Sequence, residues 1–157
     1  MSDDVLHHLP ALRAYARSLC GHFQDPDDLV QETLLRAIEH ADKYQPGTYM
    51  RAWLFTIMRN RFYTNIRKSA RERTGSDDCV SDKPTAQPTQ EWHLRHQEMW
   101  AQLAKMPTHY REAIVLVSVL GESYIRAAEI LECDIGTIKS RVNRARTMLR
   151  RALEPEF

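Results

Sequence analysis

The chain has 157 residues, of which 43% are hydrophobic and 27% charged, and its formal net charge is +1. This length and composition are typical of a globular protein with one medium domain or two small ones. No apolar run approaches the ~20 residues that span a membrane. The acidic N-terminal sequence MSDD does not fit a secretory signal. Three widely spaced cysteines predict neither a disulfide framework nor a zinc site. We therefore expect a cytoplasmic protein without metal or cofactor.

The near-neutral total conceals alternating acidic and basic blocks. The net charge is −4 over residues 1–45, +6 over 46–75, −4 over 76–133 and +3 over 134–157. Basic blocks favour a polyanionic partner, and acidic blocks favour a second, basic protein partner.

Helical periodicity runs through nearly the whole chain, so we predict an all-α fold. In the first half, one helix ends at Gly21, a second opens at the sequence DPDD (25–28), and a third extends over about 48–73 after the breaker Pro46-Gly47. The pattern leaves open a bend at 58–61. The predicted apolar stripes of these helices are Leu9, Leu12, Ala16 and Leu19, then Val30, Leu34, Ala37 and Ala41, and then Met50, Trp53, Leu54, Ile57, Met58, Phe62 and Ile66.

The polar sequence GSDDCVSDKPTAQPT (75–89) has no periodicity and predicts a flexible linker. It divides the chain into two small helical domains, 1–74 and 90–157, each short for a self-sufficient core. The second domain is predicted to contain helices over about 90–105, 108–120 and 123–131, a tight turn at 132–134, and a final basic helix to about 153.

The last two helices and their short turn predict a helix-turn-helix. The predicted core positions of the final helix are Ile138, Val142, Ala145 and Leu149. At about 100° per residue, the opposite face carries Thr137, Ser140, Arg141 and Arg144, with Lys139 and Arg146 beside them. Hydroxyl and guanidinium groups without bulky apolar neighbours suit the major groove of duplex DNA. The alternative is a solvated basic face, and the turn in front of the helix argues against it.

Aromatic and basic side chains are interleaved in the third helix. The aromatic residues are Trp53, Phe55, Phe62 and Tyr63, and the cations are Arg51, Arg59, Arg61, Arg67, Lys68, Arg71 and Arg73. Bases stack on aromatic rings and phosphates pair with cations, so this helix predicts binding of single-stranded nucleic acid. Core packing is the alternative for part of the aromatic set, because Trp53 and Phe62 lie near the apolar stripe. Asn60, Tyr63 and the cations then remain as candidates.

The second helix has an acidic face opposite or beside its apolar stripe, with Asp27, Asp28, Gln31, Glu32 and Glu39. Such a face can dock a basic protein surface. A merely solvated face is the usual interpretation of such a run.

Three segments together resemble extracytoplasmic-function sigma factors. DDLVQETLLRAIEH (27–40) is similar to the polymerase-binding region of that family, and RAWLFTIMRNRFYTNIRK (51–68) to its promoter-melting and −10 region. YREAIVLVSVLGESYIRAAEILECDIGTIKSRVNRAR (110–146) is similar to its −35-binding domain. The start LPALRAYARSLCG is closest to the general-stress-response subgroup of alphaproteobacteria. The resemblance implies two domains, sigma region 2 and sigma region 4, and a role in transcription initiation.

The resemblance also implies partners and roles. Asp28, Gln31 and Glu32 would dock on core RNA polymerase, whose β′ and β subunits are the expected partners. Asn60 would lie in a loop that captures a flipped base of the −10 element, and Arg59, Arg61, Tyr63 and Lys68 would hold that strand. The residues that would read or grip the −35 duplex are Thr137, Lys139, Ser140, Arg141, Arg144 and Arg146. An anti-sigma factor is the expected inhibitor.

The sequence departs from the family pattern in the short helix that opens Ser123-Tyr124, which continues with Ile125-Arg126 instead of two acidic residues. Ser123 can still cap the helix, but the carboxylate of a capping box is missing. Arg126 places a cation near the positive end of the helix dipole, which should weaken the helix slightly or indicates a phosphate partner.

Other functions are possible alternatives. A sigma-like decoy that sequesters an anti-sigma factor would keep the fold, but such decoys usually carry a phosphorylation-receiver domain. A stand-alone helix-turn-helix repressor does not account for the first half. An enzyme is the alternative of a different class. His93 and His96 could share a metal but have no evident third ligand, and no glycine-rich phosphate loop or nucleophile motif is present. We therefore expect no catalytic activity.

Overall fold

The computed structural model describes residues 2–21, 23–72 and 91–153, in two compact units, Met1–Val80 and Ser81–Phe157. The first unit contains α1 (Ser2–His7), α2 (Leu9–Cys20), α3 (Pro26–Glu39), a 3-10 turn (Ala41–Lys43) and α4 (Met50–Glu72). The second contains α5 (Glu91–Ala104), α6 (Thr108–Ile114), a π-helical turn (Val115–Val119), α7 (Tyr124–Leu131) and α8 (Ile135–Leu153). These ranges include no strand, which confirms the all-α prediction. The predicted linker, 75–89, lies outside the described residues.

No helix in the described part of the chain is both long enough and apolar enough to cross a membrane.

Local sequence accounts for where α2 ends and α3 begins. Gly21 ends α2 with a φ of 53°, a left-handed value that glycine adopts without a steric penalty. The Asp25 side chain then caps α3 by accepting a hydrogen bond of 2.9 Å from the backbone N–H of Asp27. Pro26 suits the first helical position, where its missing N–H would have no intrahelical partner. Both predicted boundaries are confirmed.

The core of the first unit lies where α2, α3 and α4 meet. The rings of Tyr15 and Phe55 pack with their centroids 4.9 Å apart, and both side chains are fully buried. The other fully buried large side chains of this unit are Leu12, Leu19, Leu29, Leu54 and Met58. The apolar stripe of α2 is thus confirmed at Leu12, Ala16 and Leu19, whereas Leu9 is only half-buried.

The predicted stripe of α3 is partly wrong. The buried residues are Leu29, Val30, Thr33 and Ala37, whereas Leu34 is half-buried. Ala41 lies beyond the helix, in the 3-10 turn, and is also half-buried. The reason is that α3 contacts both α2 and α4. Its buried surface is therefore wider than one row of side chains, and it includes Leu29 and Thr33, each one position before a residue of the predicted stripe.

Helix α4 runs without interruption from Met50 to Glu72, so the helix is not broken at 58–61. No proline or glycine occurs between these residues to break the ladder of hydrogen bonds. Its buried side chains are Leu54, Phe55, Met58 and Phe62. Phe55, which the sequence grouped with the nucleic-acid candidates, is therefore a core residue.

A buried arginine joins α5 to α6 in the second unit. Arg111 is 6% exposed, and its guanidinium donates hydrogen bonds to the carbonyl oxygens of Met106 (3.0 Å) and Ala104 (3.4 Å) and to Thr108 Oγ1 (3.3 Å). The carbonyls at a helix C-terminus lack intrahelical donors. Arg111 therefore closes the end of α5 and fixes the start of α6.

The predicted helix over 108–120 changes geometry at Val115. Residues Val115–Val119 form a π-helical turn, in which the N–H of Leu120 donates to the carbonyl of Val115 at 2.9 Å. The extra residue in this turn exposes Ser118 and Val119 while Val115 and Leu116 stay buried.

The helix-turn-helix prediction is confirmed in its geometry. Ser123 caps α7, since its Oγ accepts a hydrogen bond of 3.1 Å from the Arg126 N–H. Glu132 then adopts a left-handed conformation (φ 54°, ψ 50°), which turns the chain into α8. Cys133 lies in this turn and is half-buried, whereas Cys20 within α2 is buried.

Candidate nucleic-acid interfaces

Helix α8 presents the predicted polar face. Ile138, Val142 and Ala145 are fully buried, and Leu149 is only half-buried because it lies near the end of the helix. On the other side, the exposed candidates are Lys139, Ser140, Arg144 and Arg146, and the half-buried ones are Thr137 and Arg141. The structure therefore brings all six −35 candidates onto the accessible surface of one helix.

Three of these cations contact residues outside α8. Arg144 donates a hydrogen bond of 3.3 Å to the hydroxyl of Tyr110 in α6, and Arg146 donates one of 3.4 Å to Ser118 Oγ in the π turn. Lys139 lies over the ring of Tyr124, with Nζ 5.8 Å from the centroid. Tyr110 and Ser118 could not be predicted from the sequence, because their proximity to α8 depends on tertiary packing.

Helix α4 carries the five −10 candidates. Asn60 and Lys68 are exposed, and Arg59, Arg61 and Tyr63 are half-buried. The guanidinium of Arg59 lies over the Tyr63 ring at 4.8 Å from its centroid. The expected loop around Asn60 is wrong, because Asn60 lies inside the uninterrupted helix. A base would therefore meet Asn60 on a helical surface.

The aromatic residues of α4 divide between core and surface. Phe55 and Phe62 are buried. Trp53 is half-buried and packs on Tyr44, with ring centroids 5.1 Å apart. The Tyr63 and Phe62 rings form a T-shaped pair with their centroids 5.3 Å apart. Core packing thus explains Phe62 as expected, and Tyr63 is the half-buried aromatic that lies beside an arginine on the candidate surface.

The acidic face of α3 is only partly available to a partner. Asp27, Asp28, Gln31 and Glu39 are exposed. Glu32 instead faces α4: its Oε2 accepts hydrogen bonds from Asn65 Nδ2 (2.9 Å) and Gln24 Nε2 (3.0 Å). The same oxygen lies 3.7 Å from Nε of Arg61. Two residues that the resemblance assigned to different partners therefore contact each other.

Replacing Glu32 with alanine should loosen the packing of α3 on α4. The change removes the shared acceptor of Asn65 and Gln24 and leaves Arg61 without its counter-ion. We expect the free energy of unfolding to fall by about 1–3 kcal/mol. Hydrogen exchange of the α3 and α4 amides in the full chain measures the effect.

The matched control is Gln31→Ala, one residue away at an exposed position. Surface substitutions of this kind change stability by about 0.5 kcal/mol or less. Equal exchange rates in the two variants would show that the Glu32 network does not stabilise the helix pair.

The two units match two family models. Sigma-70 region 2 matches residues 5–72, and Sigma-70, region 4 matches residues 96–149. A helical unit with a basic, aromatic helix, followed by a helix-turn-helix unit, thus defines a transcription initiation factor of the sigma-70 class.

The ECF RNA polymerase sigma factor EcfG of Rhodopseudomonas palustris (strain TIE-1) is 50% identical over 149 residues, which are 95% of this chain and 82% of that protein. The chain belongs to the ECF RNA polymerase sigma factors. The sigma factor RpoE of Bartonella quintana, solved in complex with the anti-sigma factor NepR, aligns with 42% identity and a TM-score of 0.87, covering 99% of this chain and 98% of that chain.

A structure of the anti-anti-sigma factor PhyR complexed with NepR, also from Bartonella quintana, is more distant. It aligns with 19% identity and a TM-score of 0.60, covering 96% of this chain and 49% of that chain. At this identity the likeness concerns the fold alone.

Proposed function

We propose that this sigma factor directs core RNA polymerase to promoters with −35 and −10 elements, acts on stress-response genes and is held in check by an anti-sigma factor. The observation that carries the proposal is the accessible polar and basic face of α8, in a chain that is 50% identical to EcfG over 95% of its length. The role is that of an initiation factor in the cytoplasm, without catalytic residues of its own. The side chains of His93 and His96 lie outside the described residues.

Polymerase docking is assigned to the exposed part of α3. Asp28 and Gln31 lie on one face, one turn apart, and offer a carboxylate and an amide to a basic surface of the β′ or β subunit. Glu32 supports this face indirectly, because the hydrogen bonds that it accepts from Gln24 and Asn65 hold α3 against α4.

The −10 strand is assigned to α4. Arg59, Asn60, Arg61, Tyr63 and Lys68 belong to the block 46–75, whose net charge of +6 attracts phosphates. The Tyr63 ring provides a surface for stacking, and Asn60 offers both donors and an acceptor to a base edge. Flipping a base costs a few kcal/mol, which these contacts would offset.

The −35 duplex is assigned to α8. Arg141 and Arg144 have the guanidinium geometry that recognises guanine edges, and Thr137, Lys139, Ser140 and Arg146 would contact phosphates. Neither unit needs to bind DNA tightly by itself, because a tether raises the effective concentration of the second unit once the first is bound.

An anti-sigma factor would cover these surfaces. Leu35 and Ile38 are 61% and 71% exposed on α3, beside the docking residues. Apolar side chains this exposed are suited to burial by a protein partner. The complex of RpoE with NepR is a precedent in a relative. Recovery of core polymerase alone, without a small partner, from native lysate would contradict this part of the proposal.

Run-off transcription tests the function. Core RNA polymerase is expected to produce specific transcripts from a stress-type promoter only when this chain is added. The alternative, a decoy for an anti-sigma factor, predicts no transcript together with tight binding to that factor. The metal content of the purified chain is a further check, since stoichiometric zinc would contradict the absence of a metal site.

A further inference from the structure

A groove of about 380 Å³ lies between the start of α6 and the first turns of α8. His109 and Tyr110 form one wall. The α8 side consists of Gly136, Thr137, Ser140, Arg141 and Arg144. None of the described residues that line this groove carries a carboxylate, and the two arginines give it a positive charge, so an anion is the ligand that its chemistry favours.

Tyr110 holds one of these arginines. Its hydroxyl accepts the 3.3 Å hydrogen bond from Nη1 of Arg144, across 34 residues of sequence. The exposed His109 ring packs against the Tyr110 ring with centroids 4.2 Å apart. A free arginine side chain loses considerable rotamer freedom when it binds. The contact with Tyr110 limits that freedom before any ligand arrives, which favours binding.

The fold has room for a side chain at Gly136. This residue is exposed in the first turn of α8, and a Cβ at this position would meet no atom within 4 Å. Glycine inside a helix is less stable than alanine, so helix stability alone would favour a side chain here. Glycine does allow the backbone of another molecule to approach closely. The missing side chain keeps the α8 end of the groove open.

We propose that the groove seats one strand of the −35 duplex, with the sugar-phosphate backbone passing over Gly136 and Tyr110 acting as a positioning residue for Arg144. The inference rests on the proposed role of α8 and adds a second helix, α6, to the −35 interface. Tyr110 acts through Arg144, so its effect on affinity should depend on that arginine.

A double-mutant cycle on the full chain tests the role of Tyr110. The probe is a labelled duplex carrying the −35 element of a promoter that supports run-off transcription, with binding followed by fluorescence anisotropy. Tyr110→Phe keeps the ring and removes the hydroxyl, and we expect about three- to tenfold weaker binding. Arg144→Ala should weaken binding further, and the double variant should be no weaker than Arg144→Ala alone.

The matched control is Tyr44→Phe, which removes a tyrosine hydroxyl in the first unit, where it donates to the Thr48 carbonyl. It should leave duplex binding unchanged. Wild-type affinity of Tyr110→Phe, or effects of Tyr110→Phe and Arg144→Ala that simply add, would overturn the positioning role. If the wild-type chain itself fails to bind the duplex, the proposed function of α8 fails instead.

Gly136→Ala tests the path of the strand independently. The melting temperature should stay the same or rise, because the added methyl group meets open space and favours the helix. Affinity for the duplex should nevertheless fall, because the methyl group occupies the place of the DNA backbone. Unchanged affinity would exclude a strand at Gly136, and a lowered melting temperature would show that the fold itself requires glycine.

Discussion

Arg141→Ala is expected to lower the affinity for the −35 duplex by about ten- to a hundredfold, the factor associated with one good contact between an arginine and a base. Arg141 is half-buried in the groove between α6 and α8, so its side chain should lose less rotamer freedom on binding than a fully exposed arginine. Binding of the single-stranded −10 element should not change, because that strand is assigned to the other unit. Fluorescence anisotropy at fixed salt concentration measures both affinities.

Arg150→Ala is the matched control for Arg141→Ala. Arg150 lies on the same helix and is exposed, but nine residues further on, which places it on the opposite side of α8. Replacing it should lower the affinity for the duplex only slightly, because a distant cation adds only a small, sequence-independent attraction to the phosphates. Equal losses in the two variants would mean that α8 contributes positive charge without reading the duplex.

Asn60→Ala is expected to leave −35 duplex binding intact and to reduce run-off transcription by about five- to a hundredfold, since an amide bound to a base edge contributes about 1–3 kcal/mol. Asn60 is exposed on α4, one residue from Arg59 and Arg61, so it can contact a base while its neighbours hold the phosphates. Permanganate reactivity of thymines in the −10 region reports the melting step directly.

Ser69→Ala is the control for this experiment, because Ser69 lies on the same helix but nine residues away, on its opposite side. It should melt the promoter like the wild type. A parallel loss of duplex binding and melting in Asn60→Ala would contradict the division of work between the two units. A loss of melting in Ser69→Ala would point to a general weakening of α4.

The contact between Glu32 and Arg61 links the two assigned surfaces of the first unit. A substitution at either residue changes the packing of α3 on α4, so its effect on polymerase binding or on promoter melting combines a structural and a functional part. Asp28 and Gln31 for docking, and Asn60 and Lys68 for DNA, are exposed and are therefore the better positions for assigning roles.

Features that depend on neighbours in sequence could be predicted from the sequence alone. The all-helical class, the stop at Gly21, the cap at Asp25 and the turn at Glu132 follow from helix periodicity and from the conformational preferences of single residues. The polar face of α8 follows in the same way, because residues three and four apart share one side of a helix whatever packs against it. The sequence also carries the three segments that resemble the sigma-factor family.

Features that depend on contacts between distant segments were decided by the tertiary structure. Glu32 belongs to an acidic run, but its partner Asn65 is 33 residues away and turns it from a surface group into an interhelical acceptor. Phe55 is core because Tyr15 packs on it, and α3 buries Thr33 because two helices cover it. Tyr110 reaches Arg144 only through the packing of α6 on α8. Periodicity defines the sides of a helix, but which side is buried, and beside which residue, depends on the helices that pack against it.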